Sequence, residues 1–142
     1  ELIGKQAPEW ILPDIKEEMV SLYSLKGKVI LLNFTGIGCG ACQMAIPFLM
    51  ELKEQYPADD FELIAIESWS GSNSARTHYV KQKGINYSFL GADEKVLDDY
   101  HTGRAAPYFI LLDEKRIVHK VFFGYNENNK NEIKDAIDKM LK

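Results

Sequence analysis

The chain has only two cysteines, Cys39 and Cys42, and three histidines, His78, His101 and His119, in 142 residues. Two cysteines cannot build a disulfide framework. A pair three positions apart closes too short a loop to add much stability, which favours a chemical role over a structural one. A zinc site needs four ligands, usually as two close pairs. There is no second pair here, and the histidines are scattered through unrelated segments, with His101 the one of interest as a ligand. No apolar run approaches the roughly 20 residues of a membrane helix. Charge of one sign is lacking too: 17 basic against 21 acidic residues leave a net charge of -4. That balance mildly repels phosphate backbones and anionic lipid, so nucleic acid is not an expected partner. Internal repeats, low-complexity segments and linkers are absent. The first residue is Glu1 rather than methionine, which fits a processed product or fragment whose targeting or anchoring segment has been removed.

What is present is an ordinary globular composition, 46% apolar and 27% charged, in a chain long enough for one domain with a real core. The expected organisation is a single domain over residues 1–142, with residues 1–26 as a lead-in ribbon and 27–142 as the core. In the lead-in, "WILPDI" and "MVSLYSL" suggest a strand pair or irregular ribbon at a sheet edge, and Pro13 argues against a central strand. "GKVILLNF" is near-continuously aliphatic from Val29 to Phe34, the pattern of a strand buried on both faces. From Cys42, Ala45, Ile46, Leu49 and Leu52 follow helical spacing as far as Tyr56-Pro57, with Pro47 inside the helix and expected to bend it near Gln43.

"FELIAIE", Phe61 to Glu67, reads as a second buried strand. "SWSGSNS" then supplies N-caps for a helix through Ala75, Tyr79 and Val80, which Gly84 should close. "INYSFL" is a third strand, and Asp93 can cap a short helix carrying Val96, Leu97 and Tyr100. "PYFILLD" and "RIVHKVFFG" form a hairpin, and Ile133, Ala136, Ile137, Met140 and Leu141 mark one face of a last helix. Helices between strands imply parallel crossovers, and the closing hairpin adds antiparallel strands. The predicted architecture is α/β, a mixed sheet covered on both faces.

In that frame "TGIGCGAC" runs from a strand into a helix and puts Cys39 at the helix's amino end, where unpaired N–H groups and the macrodipole favour a thiolate. The thiolate is the species that attacks disulfides, so Cys39 is the expected nucleophile and Cys42, one turn in, the resolving thiol. Gly36, Gly38 and Gly40 are expected to keep the approach open. A metal clip and inert packing are the alternatives for the pair.

At this point the chain resembles the thioredoxin-like superfamily, specifically the exported TlpA and ResA type of thiol-disulfide oxidoreductase. "GKQAPEWIL" with "VSLYSLKGKVILLNF" is similar to that type's lead-in, "CGAC" to its active site and "APYFILLDEKRIVHKVFFG" to its closing hairpin. The resemblance implies a thioredoxin-like three-layer sandwich with an N-terminal strand extension. It also implies a helix-kinking role for Pro47 and a cis Ala106-Pro107 bond. In such proteins the loop of Ala106 and Pro107 faces the nucleophilic sulfur and binds the substrate's chain. A bacterial, extracytoplasmic setting follows from the same resemblance, periplasmic or membrane-anchored and facing outward. So do a protein substrate carrying a disulfide, recharging by a membrane-embedded thiol reductase, and no cofactor or metal.

The chain departs from the family in several places. Asn33 stands six residues before Cys39, where thioredoxin has an aspartate. Ala45 replaces a glutamate, Gly38 the usual tryptophan, and Ala41 the proline of CGPC. Asn33 cannot accept a proton as a carboxylate does, so proton transfer from Cys42 must use water or another acid, for which Glu67, at the expected carboxyl end of its strand, is the candidate residue. Ala41 restores a backbone N–H near the nucleophile, implying a more oxidising couple than CGPC would give.

Two rival functions stay open. A peroxiredoxin-like peroxidase is suggested by "FTGIGC", although Thr35 is four residues before Cys39 rather than three and no proline adjoins it. The other is a non-enzymatic copper carrier using two cysteines and a histidine.

Overall fold

The computed structural model describes all 142 residues. Strands β3 (Val29–Thr35), β4 (Phe61–Glu67), β5 (Ser88–Gly91), β6 (Tyr108–Leu112) and β7 (Val118–Phe123) form one sheet, ordered β5-β4-β3-β6-β7. β3, β4 and β5 run parallel, whereas β6 and β7 are antiparallel additions, as the hairpin pattern implies. Every residue of β3 is buried, because the strand sits in the middle with both faces covered.

Alternation along β3 divides the core in two. Val29 and Leu31 face a layer made by helices α1 (Gly40–Gln55), α2 (Asn73–Lys83) and α4 (Glu127–Met140). Ile30, Leu32 and Phe34 face α3 (Glu94–Asp99) and the lead-in. On the first side the α4 face of Ile133, Ala136 and Ile137 is buried as its period predicts, while Met140 and Leu141 are only partly so.

The lead-in holds the strand pair expected of it, but that pair does not extend the main sheet. β1 (Ile11–Pro13) and β2 (Met19–Ser21) form their own two-stranded antiparallel sheet. Trp10, Leu12 and Leu22 are buried in the second core. Burying side chains of that size is worth roughly 1.5 to 3 kcal/mol each, so the segment closes the open face of the sheet. Ahead of that pair, residues 4–7 run along the start of β7: Gly4 N donates to Val118 O, Val118 N to Lys5 O and Ala7 N to Arg116 O, with an antiparallel bridge between Gln6 and Ile117.

Local signals place most helix ends. Asp93 and Ser72 cap α3 and α2 by accepting from Val96 N and Ala75 N, and Gly84 closes α2 in the left-handed region at φ 67°. α1 continues through Pro47 and stops at Tyr56. Two strands start later than the sequence suggests, β5 at Ser88 and β7 at Val118. The delay in β7 has a clear cause. Arg116 turns at φ 65° and buries its guanidinium, which donates to the carbonyls of Leu25, Gly27 and Glu114. The hairpin turn is thereby tied to the chain entering β3.

Candidate active site

Strand register determines what meets at the cysteines. Thr35 pairs with Glu67, and Glu67 pairs with Gly91, so the parallel strands end together at their carboxyl ends. Antiparallel β6 begins there, with Tyr108 opposite Phe34, and brings the loop before it beside the loop after β3. Ligand and reaction sites in open α/β sheets gather at such carboxyl ends.

Cys39 is the N-cap of α1, and its sulfur accepts from Cys42 N at 3.2 Å. The two sulfurs are bonded to each other, with Cα atoms 5.2 Å apart. The expected dithiol pair is therefore present in its oxidised form, at a helix start that favours negative charge. The donor to Cys39 Sγ is Cys42 N. Ala41 N makes no such bond in the disulfide form.

Neither cysteine is widely exposed: Cys39 retains 6% of its surface and Cys42 3%. Both are buried, and Ala106 O lies 4.0 Å from the Cys39 sulfur. That approach is a contact, since a disulfide sulfur carries no proton to donate. The Ala106-Pro107 peptide is cis. Pro107 O accepts from Gly124 N at 2.8 Å, which fastens the loop to the end of β7.

The glycines act differently from expectation. Gly38 and Gly40 do leave open space, but at Gly36 a Cβ would lie 2.3 Å from the Trp69 indole. Gly36 is bare so that Trp69 can lie against the backbone, not so that substrate can enter. Trp69 was not read from the sequence as part of the site, and only its place in the loop after β4 could have suggested it.

Glu67 is 1% exposed and its carboxylate is fully engaged. Oε2 accepts from Ile37 N (3.1 Å), Trp69 N (2.8 Å) and Ser70 N (2.8 Å). Oε1 accepts from Ser70 Oγ (2.6 Å) and pairs with Arg76 Nη1 at 3.3 Å. Burial alone would raise its pKa, yet the donors together hold it below the ordinary carboxylate value, so it stays ionised. A carboxylate in that condition is an anchor for the loop leading to Cys39. The arrangement lends no support to proton transfer through Glu67. Arg76 reaches it over Gly91, where a Cβ would lie 2.4 Å from the guanidinium.

Asn33 is buried and donates to Tyr108 O at 3.4 Å, a tie across β3 and β6. His78, His101 and His119 stand apart from the cysteines in the fold, His119 being paired with Asp113. Nowhere do three His, Cys, Asp or Glu side chains converge to hold a metal ion. No helix is long and apolar enough to cross a membrane.

The disulfide at the strand-to-helix junction, facing a cis-proline loop, agrees with what sequence comparison finds: residues 3–121 match the AhpC/TSA family. The chain belongs to that family. Its relatives include the thiol-disulfide oxidoreductase ResA of Bacillus thuringiensis, 26% identical over 139 residues, covering 97% of this chain and 78% of ResA. The thioredoxin-like protein YneN of Bacillus subtilis is 27% identical over 136 residues, covering 95% of this chain and 78% of YneN. Among solved structures, a thiol:disulfide interchange protein of the thioredoxin family from Chlorobium tepidum superposes with a TM-score of 0.82 at 21% identity. That likeness covers 100% of this chain and 99% of the other, and it establishes the thioredoxin-like fold. This family member thus carries ResA-type relatives, a thioredoxin-like sheet and a CxxC disulfide together.

Proposed function

We propose that the protein is a thiol-disulfide oxidoreductase that reduces or exchanges disulfides in polypeptides, with Cys39 attacking and Cys42 resolving. The observation that carries this is the Cys39–Cys42 disulfide at the amino end of α1, 4.0 Å from the carbonyl of Ala106. In the reduced protein, Cys39 thiolate attacks one sulfur of the substrate disulfide. That S–S bond breaks, a Cys39–substrate disulfide forms, and the departing substrate thiolate takes up a proton. Cys42, as thiolate, then attacks Cys39 Sγ, closing the disulfide seen here and releasing the second substrate thiol. Two electrons pass to the substrate, and a dithiol donor must restore the protein. The chemistry needs no cofactor.

Ala106 and Pro107 are the proposed docking backbone. Neither the N–H nor the carbonyl of Ala106 is paired within the protein, so both can meet an extended substrate segment. The same reading takes the protein to be bacterial and extracytoplasmic, recharged by a membrane-embedded thiol reductase. The likeness of its lead-in, CGAC and hairpin segments to the exported type supports that part.

Turnover separates this reading from a thiol peroxidase. With dithiothreitol as reductant, disulfide-linked peptides are expected to be reduced far faster than hydrogen peroxide is consumed; Cys39→Ser should abolish turnover, and Cys42→Ser should lower it to the rate at which dithiothreitol resolves the Cys39–substrate disulfide. Faster peroxide consumption that survives Cys42→Ser would overturn the proposal.

A further inference from the structure

Trp69 is 45% exposed, yet it is among the most constrained side chains at the site. Its backbone N–H is held by Glu67, the carboxylate that also holds Ile37 N. The indole lies against Gly36, whose carbonyl accepts from Cys39 N at 3.2 Å. On its far side Nε1 donates to Arg104 O at 2.7 Å, two residues before Ala106. Arg104 reciprocates, its Nη1 donating to Ser68 O at 2.6 Å, while its other amine pairs with Glu94. The ring therefore spans the two loops that flank the disulfide, and its open face is held still beside them.

An aromatic ring kept partly in water gains little from burial, whereas a rigid aromatic with its polar tip already satisfied loses little entropy on contact. We propose that Trp69 is a specificity-determining residue: its exposed face receives an apolar side chain adjacent to the substrate's cysteine while Ala106 pairs with the substrate backbone. The occupant is an extended polypeptide segment carrying a disulfide, and this inference rests on the disulfide-exchange reading above. Extended geometry follows from the free N–H and carbonyl of Ala106, and the apolar neighbour follows from the indole face, since the nearby Arg104 charge is already matched by Glu94.

The test uses the intact protein with three probes: hydroxyethyl disulfide, and two disulfide-linked peptide dimers differing only in Leu or Ser after the cysteine. Unaltered protein is expected to prefer the Leu peptide, and Trp69→Ala to lower kcat/KM for it roughly tenfold, erasing the preference. Hydroxyethyl disulfide turnover and the equilibrium constant of the Cys39/Cys42 couple against glutathione should each change less than twofold. Trp69→Phe, which keeps a ring but not the bond to Arg104, should retain most of the preference. Equal loss on all three probes, a shifted potential, or no Leu preference in the unaltered protein would overturn the proposal. Failure of the unaltered protein to turn over even hydroxyethyl disulfide would instead remove the disulfide-exchange reading, and this one with it.

Discussion

Replacing Glu67 with glutamine removes one charge and adds two N–H donors at a point where five donors already converge. The carboxylate takes three backbone N–H groups on Oε2, and Ser70 Oγ and Arg76 on Oε1. A glutamine can present its oxygen to the backbone set, which leaves its amide nitrogen facing the buried Arg76 guanidinium. Ser70 can turn its hydroxyl to accept. Arg76, 8% exposed, cannot accept anything. Breaking a buried ion pair from one side costs about 3 to 5 kcal/mol, and we expect the lower end because Ser70 adapts. In urea unfolding at pH 7, Glu67→Gln should lose about 3 kcal/mol with an unchanged m-value. Adding Arg76→Met should cost less than the sum of the two single changes, because no unpaired charge remains.

Acid gives the same interaction a second signature. Glu67 has its folded pKa lowered below its ordinary value of 4.5. Its contribution is therefore present above the unfolded pKa and lost as pH falls through the folded one. The unaltered protein should weaken in that acid range more steeply than Glu67→Gln. The pH dependence of disulfide reduction between pH 6 and 9 should be the same in both. A loss below 1 kcal/mol, parallel acid limbs or a displaced activity profile would refute the anchor argument, and the last would restore Glu67 as a proton carrier.

Other outcomes follow from the same geometry. Ala41→Pro removes an N–H in the first turn of α1 that makes no bond to Cys39 Sγ in the disulfide form, where Cys42 N is the donor, and that is expected to donate only to the thiolate formed on reduction. One such bond is worth roughly 1.5 to 3 kcal/mol, so the potential against a glutathione buffer should fall by about 30 to 65 mV. An unchanged or higher potential would contradict it. Arg116→Met cuts the ties to the carbonyls of Leu25, Gly27 and Glu114. It should lower stability by about 2 to 4 kcal/mol, through buried acceptors left unpaired, without moving the potential. Gly91→Ala should act like a mild form of Arg76→Met, since the new methyl group displaces the guanidinium. Its expected loss is about 1 to 3 kcal/mol in thermal or urea unfolding.

What was legible in the sequence was what neighbouring residues decide. The aliphatic runs of β3 and β4, the Asp93 cap, the Gly84 stop and the apolar face of α4 lie within a few residues of their causes. So does Cys39 at its helix end, since strand, loop, cysteine and helix are consecutive. The parts that were hidden depend on pairs far apart in the chain. Trp69 against Gly36, Arg76 over Gly91 and Arg116 on Leu25 and Gly27 each look like surface residues or flexible glycines until the sheet brings them together. Glu67 shows the limit most clearly. Its place at a strand end suggested acid-base work, and only its five donors reveal a carboxylate already spent on holding a loop. The lead-in was legible as a strand pair, whereas its packing was not: Trp10, Leu12 and Leu22 answer to a core on the α3 side that no local pattern announces.

The most direct measurement of the central claim is capture of the covalent intermediate. Reduced Cys42→Ser and Cys39→Ser proteins are each mixed with a peptide activated as a mixed disulfide, and the adducts are quantified by intact mass and peptide mapping. The account predicts rapid adduct formation at Cys39 in Cys42→Ser and slow or negligible formation at Cys42 in Cys39→Ser. Equal rates, or faster capture by Cys42, would contradict it.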